Sequence, residues 1–196
     1  MDWDEFDRLV REVLYPVYPA VARKIIEETG ITDGLCIDIG TGTGALAIAL
    51  AKMTDLIVYA LDISQRALEI AKLRIGEEGL TDRIFTIRGD VHSMPFKDKI
   101  ADLIVSRGSI GFWEDRVKAF KEIVRVLKPD GMAVVGGGFG SKEVKEKVKG
   151  RLKRTGRTRK VKGEIREILR KAGIECYRII DDEANFWVIV YGPGGI

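Results

Sequence analysis

The stretch CIDIGTGTGALAIALA, residues 36–51, sets Gly40, Gly42 and Gly44 at alternate positions between a short apolar run and a run of helix formers. Glycine admits φ > 0 and carries no Cβ. A flat or charged group can therefore lie directly on such a main chain, beside the free N–H groups that open the following helix. A strand-to-helix turn with no ligand would use the same residues. Asp62 follows 18 residues beyond Gly44, where a carboxylate can accept hydrogen bonds from both hydroxyls of a ribose; the same residue also suits a dipole partner for a helix starting at Ser64. Asp90 is placed to accept from an exocyclic amine, or to serve as a surface turn residue. His92, the one histidine, lies two residues on and reads as a structural residue rather than a base, since a base must first have the right geometry.

These residues need a scaffold that brings strand ends together. Two amphipathic segments, with Trp3, Phe6, Val10 and Val13, then Val17, Val21 and Ile25 at helical spacing, predict two helices ahead of the glycine turn. Beyond it the chain alternates. Residues 55–61, 83–88 and 101–106 read as strands, and 64–78 and 114–127 as helices. Pro129 is expected to end the second helix and Gly131 to turn the chain into a strand at MAVVGGG, residues 132–138. Buried-type strands, mostly separated by helical lengths, describe a parallel sheet covered on both faces, wound by right-handed crossovers. Residues 174–180 and 186–191 are separated only by DDEAN, too short for a crossover, and must form an antiparallel hairpin. The predicted fold is α/β, a doubly wound Rossmann-like seven-stranded sheet, mostly parallel with an antiparallel C-terminal hairpin strand. Residues 1–30 form an N-terminal helical cap and 31–196 the cofactor-binding domain. Ligands on such sheets bind outside the carboxyl ends of the strands. Those ends are Asp38 with the glycines, Asp62, Gly89 with Asp90, and Ser106 with Arg107.

The glycine spacing by itself satisfies two cofactor patterns: GxGxxG/A of dinucleotides through Gly40, Gly42 and Ala45, and GxGxG of S-adenosylmethionine through Gly40, Gly42 and Gly44. The ordered set IDIGTGTGALAIALA, VYALDIS, IRGDVHSMPF, ADLIVSRGSI and KEIVRVLKPDGMAVVGG resembles the class I S-adenosylmethionine-dependent methyltransferases, in particular the small-molecule branch similar to ubiquinone and menaquinone biosynthesis methyltransferases. It covers residues 30–140, and the terminal hairpin also fits. The resemblance implies S-adenosyl-L-methionine as cofactor. Asp38 and the loop Gly40, Thr41, Gly42, Thr43 and Gly44 would lie by its methionine and ribose parts, Asp62 would hold the ribose hydroxyls, and Ile63 would lie against the adenine. Asp90 and Val91 would read the adenine edge, with Ser106 and Arg107 beside the transferable methyl.

A sulfonium is already a good leaving group, so in-line transfer demands position more than a base, and no catalytic residue is named. The acceptor pocket is expected under Tyr15 and Tyr18 of YPVYP and the RGSIGFW loop, with Arg107, Phe112 and Trp113; core packing suits the aromatics equally. SRGS stands where methyltransferases acting on planar amino groups carry an Asn/Asp-Pro-Pro-Tyr/Phe tetrapeptide, which argues against that acceptor class. No tyrosine is followed by lysine at the Tyr-x-x-x-Lys spacing of a short-chain dehydrogenase, and no GxxxxGK[ST] occurs.

Composition bounds the rest. The 196 residues, 45% hydrophobic and 32% charged, suit one soluble domain. The charged N-terminus is no signal peptide, and no apolar run approaches the ~20 residues that span a bilayer, so a cytoplasmic protein without membrane insertion is expected. Cys36 and Cys176 show neither metal nor redox spacing and are expected in the core. Residues 142–171 hold 14 Lys/Arg against 4 Asp/Glu, a local +10 that leaves the rest of a +3 chain at −7. That segment is either a solvated helical face or a grip on RNA, although it has no interleaved aromatics to stack on bases. The favoured function is methyl transfer to a small-molecule acceptor. The alternatives are an RNA methyltransferase and a non-catalytic cofactor-binding module acting on a partner protein; oligomeric state is not readable.

Overall fold

The computed structural model describes residues 1–150 and 157–195, and the side chains of 157–160 lie outside the described set. Five strands run parallel: β1 (Leu35–Ile39), β2 (Ile57–Asp62), β3 (Ile84–Arg88), β4 (Ala101–Arg107) and β5 (Leu127–Gly138). A terminal hairpin, β6 (Tyr177–Asp181) and β7 (Asn185–Tyr191), adds β7 antiparallel to β5 and completes the seven-stranded order β3-β2-β1-β4-β5-β7-β6. The central strands are apolar on both sides because both sides are covered. Cys36, Leu103 and Val105 pack on one face, Ile37 and Ile104 on the other.

The first face carries α2 (Val17–Thr29), α3 (Ala45–Met53), α4 (Gln65–Glu77) and α6 (Lys142–Lys149); the second carries α5 (Arg116–Val126) and α7 (Arg157–Ala172). Alanine-rich α3 has residues 45–51 buried throughout, since small side chains let it lie close on the sheet. Helix starts follow the chain's hydroxyls and carboxylates: Ser64 accepts from the Ala67 amide, Asp115 from Lys118 and Ser141 from Val144. Ahead of α2 lies α1 (Trp3–Leu9), capped by Asp2 and joined to it through a π-helical turn, Val10–Leu14, which the apolar periodicity did not predict.

Two expectations are corrected. Pro129 and Gly131 do not turn the chain ahead of β5; they lie within it. Leu127 pairs with Ala101 and Met132 with Leu103, so residues 128–131 bulge opposite Asp102, and the Gly192 and Gly194 amides bond the Gly131 and Pro129 carbonyls. Gly131 has no room for a Cβ, which would lie 2.7 Å from the Ala101 carbonyl oxygen. Cys36 is buried as expected, but Cys176, just before β6, is only half-buried. Among the described residues no helix is long and apolar enough to cross a membrane.

Candidate active site

The carboxyl ends of β1, β2, β3 and β4 open onto one edge. The chain leaves β1 through Gly40, Gly42 and Gly44, all left-handed at φ 67°, 57° and 80°. The Gly40 and Thr41 amides both donate to the Leu61 carbonyl, at 2.8 and 3.0 Å, which ties the turn to β2. A Cβ on Gly40 would lie 2.4 Å from the Ser109 Cβ, so glycine here is also a packing requirement.

Asp62 ends β2 with its side chain folded into the turn and is only 6% exposed. One oxygen accepts from the Gly42 amide and the other from the Ser64 amide, each at 2.9 Å. A carboxylate offers about four acceptor positions, so among the described residues one on each oxygen is unspent. Beside it Ile63 is 66% exposed, an apolar side chain held at the edge.

Asp38 is buried deeper. It accepts from the Thr41 hydroxyl at 2.6 Å and from the Ala47 amide in the first turn of α3. Burial pushes its carboxyl up to about 7; the Asp62 charge adds to that push, while the Thr41 and Ala47 hydrogen bonds and the Arg107 charge oppose it. Thr43 accepts from Arg74 at 3.0 Å, and Arg74 pairs with Asp7 of α1 at 3.0 Å. This pair brings α1 over the turn. Trp3 and Phe6, edge to face at 5.7 Å, lie 3.3 and 3.6 Å from where a Gly42 Cβ would stand.

Asp90 follows β3 and accepts from the His92 amide at 2.9 Å and from His92 Nδ1 at 2.6 Å, which holds its carboxyl below the ordinary value against burial. His92 Nε2 in turn accepts from the Asp115 amide at 3.2 Å, assigning the neutral tautomer with the proton on Nδ1. His92 thus joins Asp90 to the start of α5. Val91 is buried in the second-face core.

At the end of β4, Ser106 is fully buried with its Oγ 2.5 Å from Ser109 Oγ; Ser109 also bonds the Ile39 carbonyl and receives the Trp113 indole N–H at 3.1 Å. Trp113 therefore packs beneath the loop against Phe120. Arg107 turns to the first face: its Nε donates to the Gly138 carbonyl at 3.0 Å and its Cζ lies 4.9 Å from the Tyr18 ring centroid. Burial raises the Tyr18 phenol, and Arg107 opposes the rise. Of the five acceptor candidates, Tyr18 and Arg107 meet. Tyr15, 71% exposed, does not join them, and Trp113 lies in the second-face core. Sequence reasoning missed Asp7, Arg74 and Ser109. The helical spacing of Trp3 and Phe6 signalled an apolar face without saying what it covers.

The basic segment divides between the two faces. On α6, Lys142 pairs with Glu183, Lys147 with Glu143 and Lys149 with Glu146; on α7, Lys162 pairs with Asp181 and Arg170 with Glu167. The cations at 151, 153, 154, 157, 159 and 160 that also prompted the RNA reading lie outside the described residues or side chains.

Residues 37–135 match the family model described as a methyltransferase domain. A provisionally assigned S-adenosyl-L-methionine-dependent methyltransferase from Methanococcus maripaludis superposes with a TM-score of 0.89 at 41% identity, covering 97% of this chain and 91% of that one. The malonyl-[acyl-carrier protein] O-methyltransferase of Geobacter sulfurreducens is 28% identical over 187 residues, 86% of this chain and 68% of its own length. The sterol 24-C-methyltransferase erg6 of Aspergillus fumigatus is 32% identical over 121 residues, 60% of this chain and 32% of that protein. The chain thus spans between about a third and two thirds of the length of these curated relatives.

Proposed function

Since this chain belongs to the class I S-adenosylmethionine-dependent methyltransferases, we propose that it transfers the methyl group by in-line displacement to a small-molecule acceptor held at the carboxyl end of β4. The bound cofactor supplies an electrophilic methyl on a sulfonium. The observation that carries the reading is the Asp62 carboxylate, buried and pinned by two amides, with one acceptor position unspent on each oxygen beside exposed Ile63. Those acceptor positions and that apolar side chain fit a ribose diol and the flat ring attached to it.

In this reading Asp62 holds the ribose hydroxyls and Ile63 covers the adenine, with Asp90 and Val91 at the adenine edge. The backbone from Gly40 to Gly44 receives the amino-acid part near Asp38, and Ser106 with Ser109 shapes the floor below the acceptor. Trp3 and Phe6 exclude water from above. The chain's own contribution is alignment and dryness, and positioning of this kind supplies on the order of 7–11 kcal/mol of a displacement barrier. A small acceptor, rather than RNA, is supported by the local pairing of Lys142, Lys147, Lys149, Lys162 and Arg170 with carboxylates.

Calorimetric titration with S-adenosylmethionine and S-adenosylhomocysteine, with NADH and NADPH as controls, tests the cofactor assignment. Saturable binding of the two sulfur compounds, weakened by Asp62→Ala, is the expected result. Preference for NADH, or affinity indifferent to Asp62→Ala, would remove the site from the turn.

A further inference from the structure

Five half-buried arginines are described: Arg74, Arg83, Arg107, Arg116 and Arg125. Four have a carboxylate within 4.0 Å, namely Asp7, Asp55, Glu164, and Glu122 with Asp98. Arg107 has none among the described residues. A guanidinium withdrawn from water and left without a counter-charge is costly, and a fold keeps one most readily where a ligand supplies the missing anion. Its orientation is already set, since Nε is spent on the Gly138 carbonyl and the plane is held against Tyr18, which leaves the terminal nitrogens to act.

A second group points to the same place. In the sheet, Gly136 of β5 pairs with Arg107 on one side and with Trp187 of β7 on the other. Paired residues project to the same face, and Trp187 shares the Tyr18 core cluster. Trp187 is 1% exposed, yet its indole N–H has no hydrogen-bond partner among the described residues. A buried donor without a partner is rare enough to require an explanation. Between the two donors stands Gly136, where a Cβ would lie 2.1 Å from the Phe186 carbonyl oxygen, so no side chain projects between them.

We infer that Arg107 and the Trp187 indole N–H, on either side of Gly136, form an oxyanion-recognising acceptor subsite, so that the methyl acceptor is a small molecule bearing a carboxylate or phosphate. This rests on the preceding reading of the strand ends as the transfer site. Arg107 supplies the charge and a planar fork, and Trp187 supplies a neutral donor that fixes the anion's position.

The test uses the full chain saturated with S-adenosylhomocysteine, with acetate and inorganic phosphate as probes and chloride at matched ionic strength as control. Nitrogen-15 NMR follows the indole N–H signals of the three tryptophans, that of Trp187 being identified by its loss in Trp187→Phe. A saturable shift of the Trp187 signal is expected with one or both probes, and the stronger of the two distinguishes a carboxylate from a phosphoryl acceptor. Arg107→Gln weakens that response about tenfold or more, Arg107→Lys retains part of it, and both keep wild-type affinity for S-adenosylhomocysteine within about threefold. A Trp187 signal unmoved by either anion, or moved equally in Arg107→Gln, overturns the inference. Failure of wild type to bind S-adenosylhomocysteine would instead remove the cofactor reading, and the same titration of the cofactor-free protein would still decide the anion site.

Discussion

Asp62 spends one acceptor position of each oxygen on the chain's own amides, and in the proposed function the rest of its capacity takes the ribose hydroxyls. Asp62→Ala removes two charge-assisted bonds to a ribose, each worth about 1.5–3 kcal/mol, so affinity for S-adenosylhomocysteine should fall about a hundredfold or more in calorimetry. The Gly42 and Ser64 amides also lose their partner, and denaturant unfolding should register a loss of about 1–3 kcal/mol. Asp38 behaves differently because it is buried and neutral-leaning, with its carboxyl pushed up to about 7. The unfolded chain ionises this group near the ordinary value of about 4, so it binds fewer protons than the folded chain between those limits. Stability contributed by neutral Asp38 is therefore complete below about pH 4 and lost as pH rises to 7. Denaturant midpoints of wild type relative to Asp38→Asn should decline over that interval; a flat difference would contradict the burial argument. A cation bound nearby favours the ionised form, so affinity for S-adenosylmethionine should climb as pH rises through 7, more than for uncharged-sulfur S-adenosylhomocysteine, and the difference should vanish in Asp38→Asn.

Helix α1 has no fully buried residue, and what holds it is Trp3 and Phe6 over Gly42 with two ion pairs to α4, Asp4–Arg66 and Asp7–Arg74, and a third, Arg11–Glu77, from the π-helical turn that follows it. The first and last are exposed and contribute about 0–1 kcal/mol each. Asp7–Arg74 is half-buried and coupled to Thr43 of the glycine turn, so it carries more of the attachment. An element held in this way opens locally before the core does. Hydrogen exchange in α1 should be faster than in α2, whose Val17, Val21, Ala22 and Ile25 are buried, and should slow when S-adenosylhomocysteine is added. Arg74→Ala should speed exchange in α1 and weaken the cofactor several-fold with little loss of global stability. Equal exchange in the two helices, or exchange in α1 unchanged by the cofactor, would contradict the role of α1 as a roof.

At the scale of the molecule, the parallel sheet was legible because each strand buried on both faces is a continuous apolar run, and three of the four crossovers contain a helix, the exception being residues 89–100 between β3 and β4. The hairpin was legible because DDEAN cannot cross over a sheet. Other features depend on distance in space rather than in sequence: nothing in the chain order pairs Asp7 with Arg74, or sets Trp187 across Gly136 from Arg107. Pro129 and Gly131 were read as a turn because bulges use the same residues, and the tail from Gly192 that pairs with them was invisible. Tyr15 and Tyr18 share one motif, yet Tyr15 closes the π-helical turn and faces outward, whereas Tyr18 lies in the first turn of α2 under Arg107. Charge asymmetry was legible as composition only, since its consequence depends on partners such as Glu183 and Asp181. With those described cations paired, anisotropy of a labelled RNA at about 50 mM salt should show no saturable binding; tight binding that falls steeply with salt would favour an RNA acceptor instead. The most direct test of the cofactor site is a crystal structure of the protein with S-adenosylhomocysteine. The expected result is both ribose hydroxyls within hydrogen-bond distance of the Asp62 oxygens, the adenine against Ile63 and α1 closed above. A nucleoside bound elsewhere, or no nucleoside at saturating concentration, would contradict it.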